Sequence, residues 1–156
     1  MKKYEFTGET KQVGFFGNIT LKRIRATMEF GIIKIGDLGG WIEKEENLSH
    51  KGNAWVYDNA KVYGNAKVCG DAKVFSISHV LVIGPIGSRN DFTTFFRDKD
   101  SEITVKCGCF LGKIDKFLEK VCETHGDSKY AIVYRTAAEI AKQQIDLSEE
   151  NNYEIK

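Results

Sequence analysis

From Gly52 to Phe75 the same small and branched apolar residues return every six positions, in the units GNAWVY, DNAKVY, GNAKVC and GDAKVF. Alanine stands at Ala54, Ala60, Ala66 and Ala72, and valine follows two residues later at Val56, Val62, Val68 and Val74. Gly or Asp opens each unit, and Asn or Asp comes next. A helix cannot hold this pattern. A period of six drifts off any one helical face, and a turn-forming pair would break the helix in every unit. One short strand and one tight turn per unit satisfy it, with valine inward, alanine in a crowded corner and Gly or Asn in the strained turn. Such a repeat predicts a short β-solenoid in which three units close a triangular coil. On that reading Trp55, Tyr57 and Tyr63 point outward. A row of exposed rings then predicts a homo-oligomer interface.

The flanks have other patterns. From Met1 to about Ile35, alternating positions such as Tyr4 and Phe6, with Gly14, Gly17 and Gly31 as turns, predict a β-rich cap on the first coil. Trp41 is expected to cover the open end, and Glu43–Glu46 to form a solvated turn. After Ser76 the repeat fades. Ile77, Val80, Val82 and Ile83 still read as a strand, and Gly84-Pro85-Ile86-Gly87 marks a break. The predicted organisation is a β-rich cap and solenoid over 1–86, then an α+β domain over 87–156.

In the second region Phe92–Arg97 and Glu102–Cys109 predict a hairpin turning at Asp98-Lys99-Asp100. Ile114, Phe117, Leu118 and Val121 recur at helical spacing, and Gly126 is a natural left-handed cap. A second helix is expected from Asp127 or Ser128 to about Ile145. Its buried stripe would be Tyr130, Val133, Tyr134, Ala137, Ala141 and Ile145. Asp146 to Lys156 is polar and is predicted to fray.

Composition narrows the chemistry. Lys and Arg number 23 against 22 Asp and Glu, so net charge gives no electrostatic case for nucleic acid. There is no apolar run long enough for a membrane and no signal-peptide pattern at Met1-Lys2-Lys3, so the expected location is cytoplasmic, in a bacterial host cell. The four cysteines are consistent with reduced thiols. Cys107-Gly108-Cys109 is a C-x-C without a second pair, so no zinc site is predicted. On one strand both thiols would share a face. His50 and His79 flank the repeat and read as surface residues. No P-loop, nucleophile elbow or H-E-x-x-H occurs. The expectation is a non-enzymatic protein without catalytic residues, metal or cofactor.

The densest polar cluster is Ser88, Arg89 and Asn90, followed by Thr93, Thr94 and Arg97. Opposite Cys109, these residues predict a site for a phosphate-bearing small molecule, because a guanidinium, hydroxyls and glycine N–H groups together hold an oxyanion. Gly112 at a helix start would add a favourable dipole, and His125 at the helix end would approach the same pocket. The competing reading pairs Arg89 and Arg97 with Asp91, Asp98 or Glu102 on the surface.

The block GDLGGWIEKEENLSHKGNAWVYDNAKVYGNAKV, Gly36 to Val68, resembles YdcK-like hexapeptide-repeat proteins, which occur in bacteria, phages and prophages. The resemblance extends from Lys3 to about Phe75 and implies a left-handed parallel β-helix. The wider group includes acyltransferases that bind acyl-coenzyme A between coils. This chain has about four clear units and no histidine among them. The stretch from Gly87 to Ile145 resembles a module found in phage-encoded proteins. Together these resemblances imply a phage- or prophage-type binding protein that counteracts host defence by sequestering a small signalling nucleotide. The alternatives are an inhibitor that binds a host defence or CRISPR effector protein directly, and an acyltransferase-like enzyme.

Overall fold

The computed structural model describes residues 2–148. The end of the polar C-terminal stretch, 149–156, lies outside them. The chain divides into two compact units, Met1–Ile77 and Ser78–Lys156.

In the first unit, β1 (Tyr4–Val13) and β2 (Ile19–Ala26) form a long antiparallel hairpin. β3 (Leu38–Ile42) pairs antiparallel with β2, and β5 (Lys61–Val62) pairs parallel with β3, giving the order β1-β2-β3-β5. β4 (Trp55–Val56) and β6 (Lys73–Val74) form a separate parallel pair. A single bridge joins Leu48 to Val68.

The repeat's apolar face is buried. Ala54, Val56, Ala60, Val62, Ala66, Val68, Ala72 and Val74 form the core of this unit. The residue that opens each unit turns the chain with positive φ: Gly52 at 72°, Asp58 at 50°, Gly64 at 67° and Gly70 at 64°. A residue without Cβ, or Asp, adopts that conformation at least cost.

The expected left-handed parallel β-helix is not formed. The larger sheet is mixed, and three of its four strands are antiparallel neighbours supplied from outside the repeat. A turn in every unit leaves strands of two residues, too short to build continuous parallel sheets of their own. The long β1–β2 hairpin supplies the ladder instead.

Asn47, fully buried, ties the interior turns together. Its Oδ1 accepts from Glu43 N at 3.2 Å and Lys44 N at 3.0 Å. Its Nδ2 donates to Gly64 O at 3.1 Å and Ala66 O at 2.9 Å. Lys3 is also buried, with Nζ donating to Ala54 O at 2.6 Å.

In the second unit, β7 (Val80–Ile86), β8 (Asp91–Arg97), β9 (Ile103–Cys107) and β10 (Phe110–Lys113) make an antiparallel sheet in the order β10-β9-β8-β7. The β8–β9 hairpin is the one the sequence predicts. Buried Asp98 holds its turn, accepting from Asp100 N at 2.9 Å, Glu102 N at 3.1 Å, Thr104 Oγ1 at 2.6 Å and Lys113 Nζ at 2.8 Å.

Two helices pack on the sheet: α1 (Ile114–His125), ended by Gly126, and α2 (Lys129–Gln144), preceded by Ser128. Their core joins Phe95, Val105, Phe117, Val121, Tyr134 and Ala138. The buried face of α2 is rotated from the predicted one: Ala131 and Ala138 are inside, while Val133 is exposed. Small residues allow α2 to sit close to its neighbours, so alanines rather than the branched Val133 take the contact.

Candidate functional site

Two hairpin turns meet at one end of the second sheet. The β7–β8 turn spans 87–90, with Asn90 N donating to Gly87 O at 3.3 Å. In the β9–β10 turn Cys107 pairs with Phe110, so Gly108 and Cys109 form the connection. The register Thr93↔Cys107 sets the two turns side by side. A cleft of about 280 Å³ lies among these turns, α1 and α2.

Its apolar wall is aromatic. Tyr134 meets Phe117 edge-on at 5.8 Å, and His125 stacks on Tyr134 at 5.6 Å. Phe110 tilts against Phe117 at 5.7 Å. Its polar rim carries Ser88 and Arg89 from the first turn, Asp91 from the start of β8, Cys109 from the second turn, and Lys120 from α1. Phe117, Lys120 and Thr124 reach one helical face by three- and four-residue spacing.

Arg89 lies beside the Gly108 turn, its Nη1 4.0 Å from where a Cβ of residue 108 would stand. Of its proposed surface partners, Asp98 and Glu102 are engaged by Lys113, at 2.8 and 3.3 Å. Asp91 Oδ1 accepts from Phe92 N at 2.7 Å. Burial raises the Tyr134 hydroxyl above the usual phenol range, and contact with the Cys107 thiol and the nearby Asp91 carboxylate add to this, against Arg89. Tyr134 therefore stays protonated near neutral pH, with its hydroxyl hydrogen-bonded to Cys107.

The predicted residues divide. Ser88, Arg89, Cys109 and His125 come together in the cleft, while Asn90 sits exposed in its turn, outside the lining. Thr93, Thr94 and Arg97 are buried in β8 and do not line it. β8 is paired on both edges, so its side chains are covered. Thr93 Oγ1 donates to Cys107 Sγ at 3.4 Å, and Arg97 Nη2 donates to Ser101 Oγ at 3.0 Å. Gly112 belongs to β10 and does not open α1. Cys107 and Cys109 do not share a strand face, because the chain turns at Gly108 with φ 57°.

Of the predicted interface residues, Trp55 is 1% exposed. Tyr4 and Phe30 cover it, at 6.3 and 5.2 Å between ring centroids. Tyr57 and Tyr63 are half-buried, with Tyr57 stacked on Phe75 at 4.3 Å. His50 and His79 are not plain surface residues: His50 stacks on Tyr4 at 4.1 Å, and His79 is fully buried.

Sequence reasoning missed Lys120 and the site role of Tyr134. The signal for Lys120 was present: it falls between Phe117 and Thr124 on the helical face that carries the predicted core. Among the described residues no group of three or more His, Cys, Asp or Glu is placed to hold a metal, and no helix is long and apolar enough to cross a membrane.

No protein-family model matches the chain. A stretch of 63 residues is 35% identical to a protein of Escherichia coli (strain K12) described as the uncharacterized acetyltransferase YdcK. The match covers 37% of this chain and 19% of that protein. The likeness to YdcK read from the sequence is thus present over part of the chain. The chain spans far less than the length of that relative.

Proposed function

We propose that the second unit is a non-enzymatic binding module whose cleft holds an anionic small molecule with a planar ring, of the nucleotide class. The observation that supports this most is the placing of Arg89 and Lys120 on the rim of an aromatic wall made by His125, Tyr134 and Phe110. Cations at the rim suit phosphate, and rings suit a stacked base. A volume of about 280 Å³ favours a mononucleotide over a linked pair of nucleotides. Sequestration is the reading that the rim cations and aromatic wall support: a bound nucleotide would meet donors and rings. The setting we favour is removal of a signalling nucleotide from solution.

Calorimetry with a nucleoside monophosphate, a cyclic mononucleotide, ADP-ribose and a cyclic dinucleotide tests the reading. Stoichiometric binding of a single-base ligand, recovered unmodified, supports it. No binding by any of them contradicts it.

A second reading, acyl transfer, draws support from the partial similarity to an acetyltransferase. Acetyl-coenzyme A in the same panel separates the two. Loss of its acetyl group in the presence of protein would favour the enzyme.

A further inference from the structure

The first unit carries a different concentration of charge. In the β1-β2-β3-β5 sheet, Arg23 pairs in register with Trp41, and Trp41 with Lys61. Residues paired in register share a face of the sheet, so Arg23 and Lys61 flank the indole from both sides. Lys11 closes over it: its Nζ is 4.4 Å from the Trp41 ring centroid, and the Arg23 guanidinium carbon is 5.5 Å away. All three cations are half-buried, and none forms a salt bridge among the described residues.

No ion pair links Glu43 or Glu5 to these cations among the described residues. Glu43 Oε1 accepts from Gly64 N at 2.9 Å, and Glu5 Oε1 binds Arg25 Nη2 at 2.7 Å. Trp41 itself is 6% exposed, and its indole N–H is buried with no acceptor among the described residues. The ring attracts one cation well. It cannot neutralise three cations, which repel one another.

We propose that Lys11, Arg23 and Lys61, arranged round Trp41, bind the oligophosphate group of a small anion. Arg23, whose Nε donates to Gly39 O at 3.1 Å, supplies its two Nη groups, and the two lysines supply point charges, a set suited to several phosphate oxygens at once. The covered indole leaves no open ring for a base to stack on, so the phosphates are what the site reads. The site stands on the first unit alone and does not depend on the cleft of the second.

The test uses the full chain and inorganic tripolyphosphate. Trp41 and Trp55 are the chain's two tryptophans, so intrinsic fluorescence reports on this unit. Ionic strength is held constant with sodium chloride. The expected result is a saturable fluorescence change at one tripolyphosphate per chain, matched by calorimetry. Lys11→Gln and Lys61→Gln should each weaken binding about fivefold or more. Arg25→Gln, which removes a cation already paired with Glu5, should leave it within about twofold. Because these side chains are half-exposed, unchanged thermal unfolding of each variant verifies that the fold is kept.

A nucleoside triphosphate tried alongside distinguishes sources of the same chemistry. Equal affinity means that the phosphate tail alone is read, free or attached. Tighter binding of the free tripolyphosphate means that the attached nucleoside is disfavoured. The proposal is overturned by a change that does not saturate at millimolar concentration, or by one that chloride reproduces. Binding that survives both lysine substitutions but is lost in Arg89→Gln also overturns it, since that places the phosphate in the cleft.

Discussion

The Tyr134 hydroxyl lies against Gly87 so closely that a Cβ on residue 87 would overlap it. Gly87 also has φ 79°, where L side chains are strained. The pair fixes the β7–β8 turn, and with it Arg89, against α2. Gly87→Ala should destabilise the second unit by about 2–4 kcal/mol. Tyr134→Ala removes the overlapping hydroxyl together with the ring carbon behind it, which would also overlap that Cβ. The double variant should therefore be more stable than the sum of the two single changes implies, by about 1 kcal/mol. Denaturant unfolding followed by the helical far-UV signal measures this, because both α-helices belong to this unit. Strict additivity would show that the contact does not hold the turn.

Asn47 uses both ends of its amide. Asn47→Ala leaves two carbonyls, part-buried Gly64 O and buried Ala66 O, and two N–H groups, Glu43 N and Lys44 N, without this partner. A loss of about 2–4 kcal/mol is expected from one buried and three part-buried bonds at roughly 0.5–1 kcal/mol each. Tryptophan fluorescence in urea reads it. A loss below about 1 kcal/mol would mean that the turns close without the amide.

The legible parts of this chain were those that depend on near neighbours in sequence. The Ala–Val face of the repeat, the β8–β9 hairpin and both helices follow local periodicity, and all are present. The partners of the repeat's strands were not legible, because β1 and β2 come from a segment with no six-residue period. The same segment supplies Tyr4 and Phe30, which cover Trp55 and remove it from the surface. In the cleft, Arg89 and Ser88 were legible as a polar turn. Thr93, Thr94 and Arg97 looked like their continuation, but the chain enters a central strand there and the sheet buries them. Tyr134 read as a core residue, and it is one. Its second role depends on two turns meeting above it, which is a matter of register.

Stability of the second unit should fall in acid. Burial, reinforced by Arg97 and opposed by Asp146, lowers His79 from 6.5 to about 4. Between these values the unfolded chain binds a proton that the folded chain refuses. The contribution is therefore fully present above pH 6.5 and is lost as pH falls towards 4, by at most about 3 kcal/mol. His79→Gln should flatten this limb of the stability profile. An equally steep acid limb in the variant would assign it to other groups.

The first unit should behave in the opposite range. Burial lowers Lys3 from 10.5 to about 8. Between those values the unfolded chain again holds the extra proton, so stability rises with pH from about 8 towards 10. Burial, with Glu45 and Glu46 nearby, raises Tyr4 above the usual phenol range, so it stays protonated through this window. Urea unfolding read by tryptophan fluorescence at a series of pH values should show the rise, and Lys3→Met should abolish it. A flat wild-type profile would mean that Lys3 keeps its proton in the fold.

The central claim is that Arg89 and the aromatic wall form one binding site, and titration calorimetry of the wild type and Arg89→Ala with the best single-base nucleotide tests it most directly. Arg89 is a rim residue, so its removal should leave thermal unfolding nearly unchanged. The account predicts one site per chain and a loss of affinity of tenfold or more in Arg89→Ala, as expected when a charged hydrogen bond worth about 1.5–3 kcal/mol is removed. Equal affinity in the two proteins, or no binding in the wild type, would contradict it.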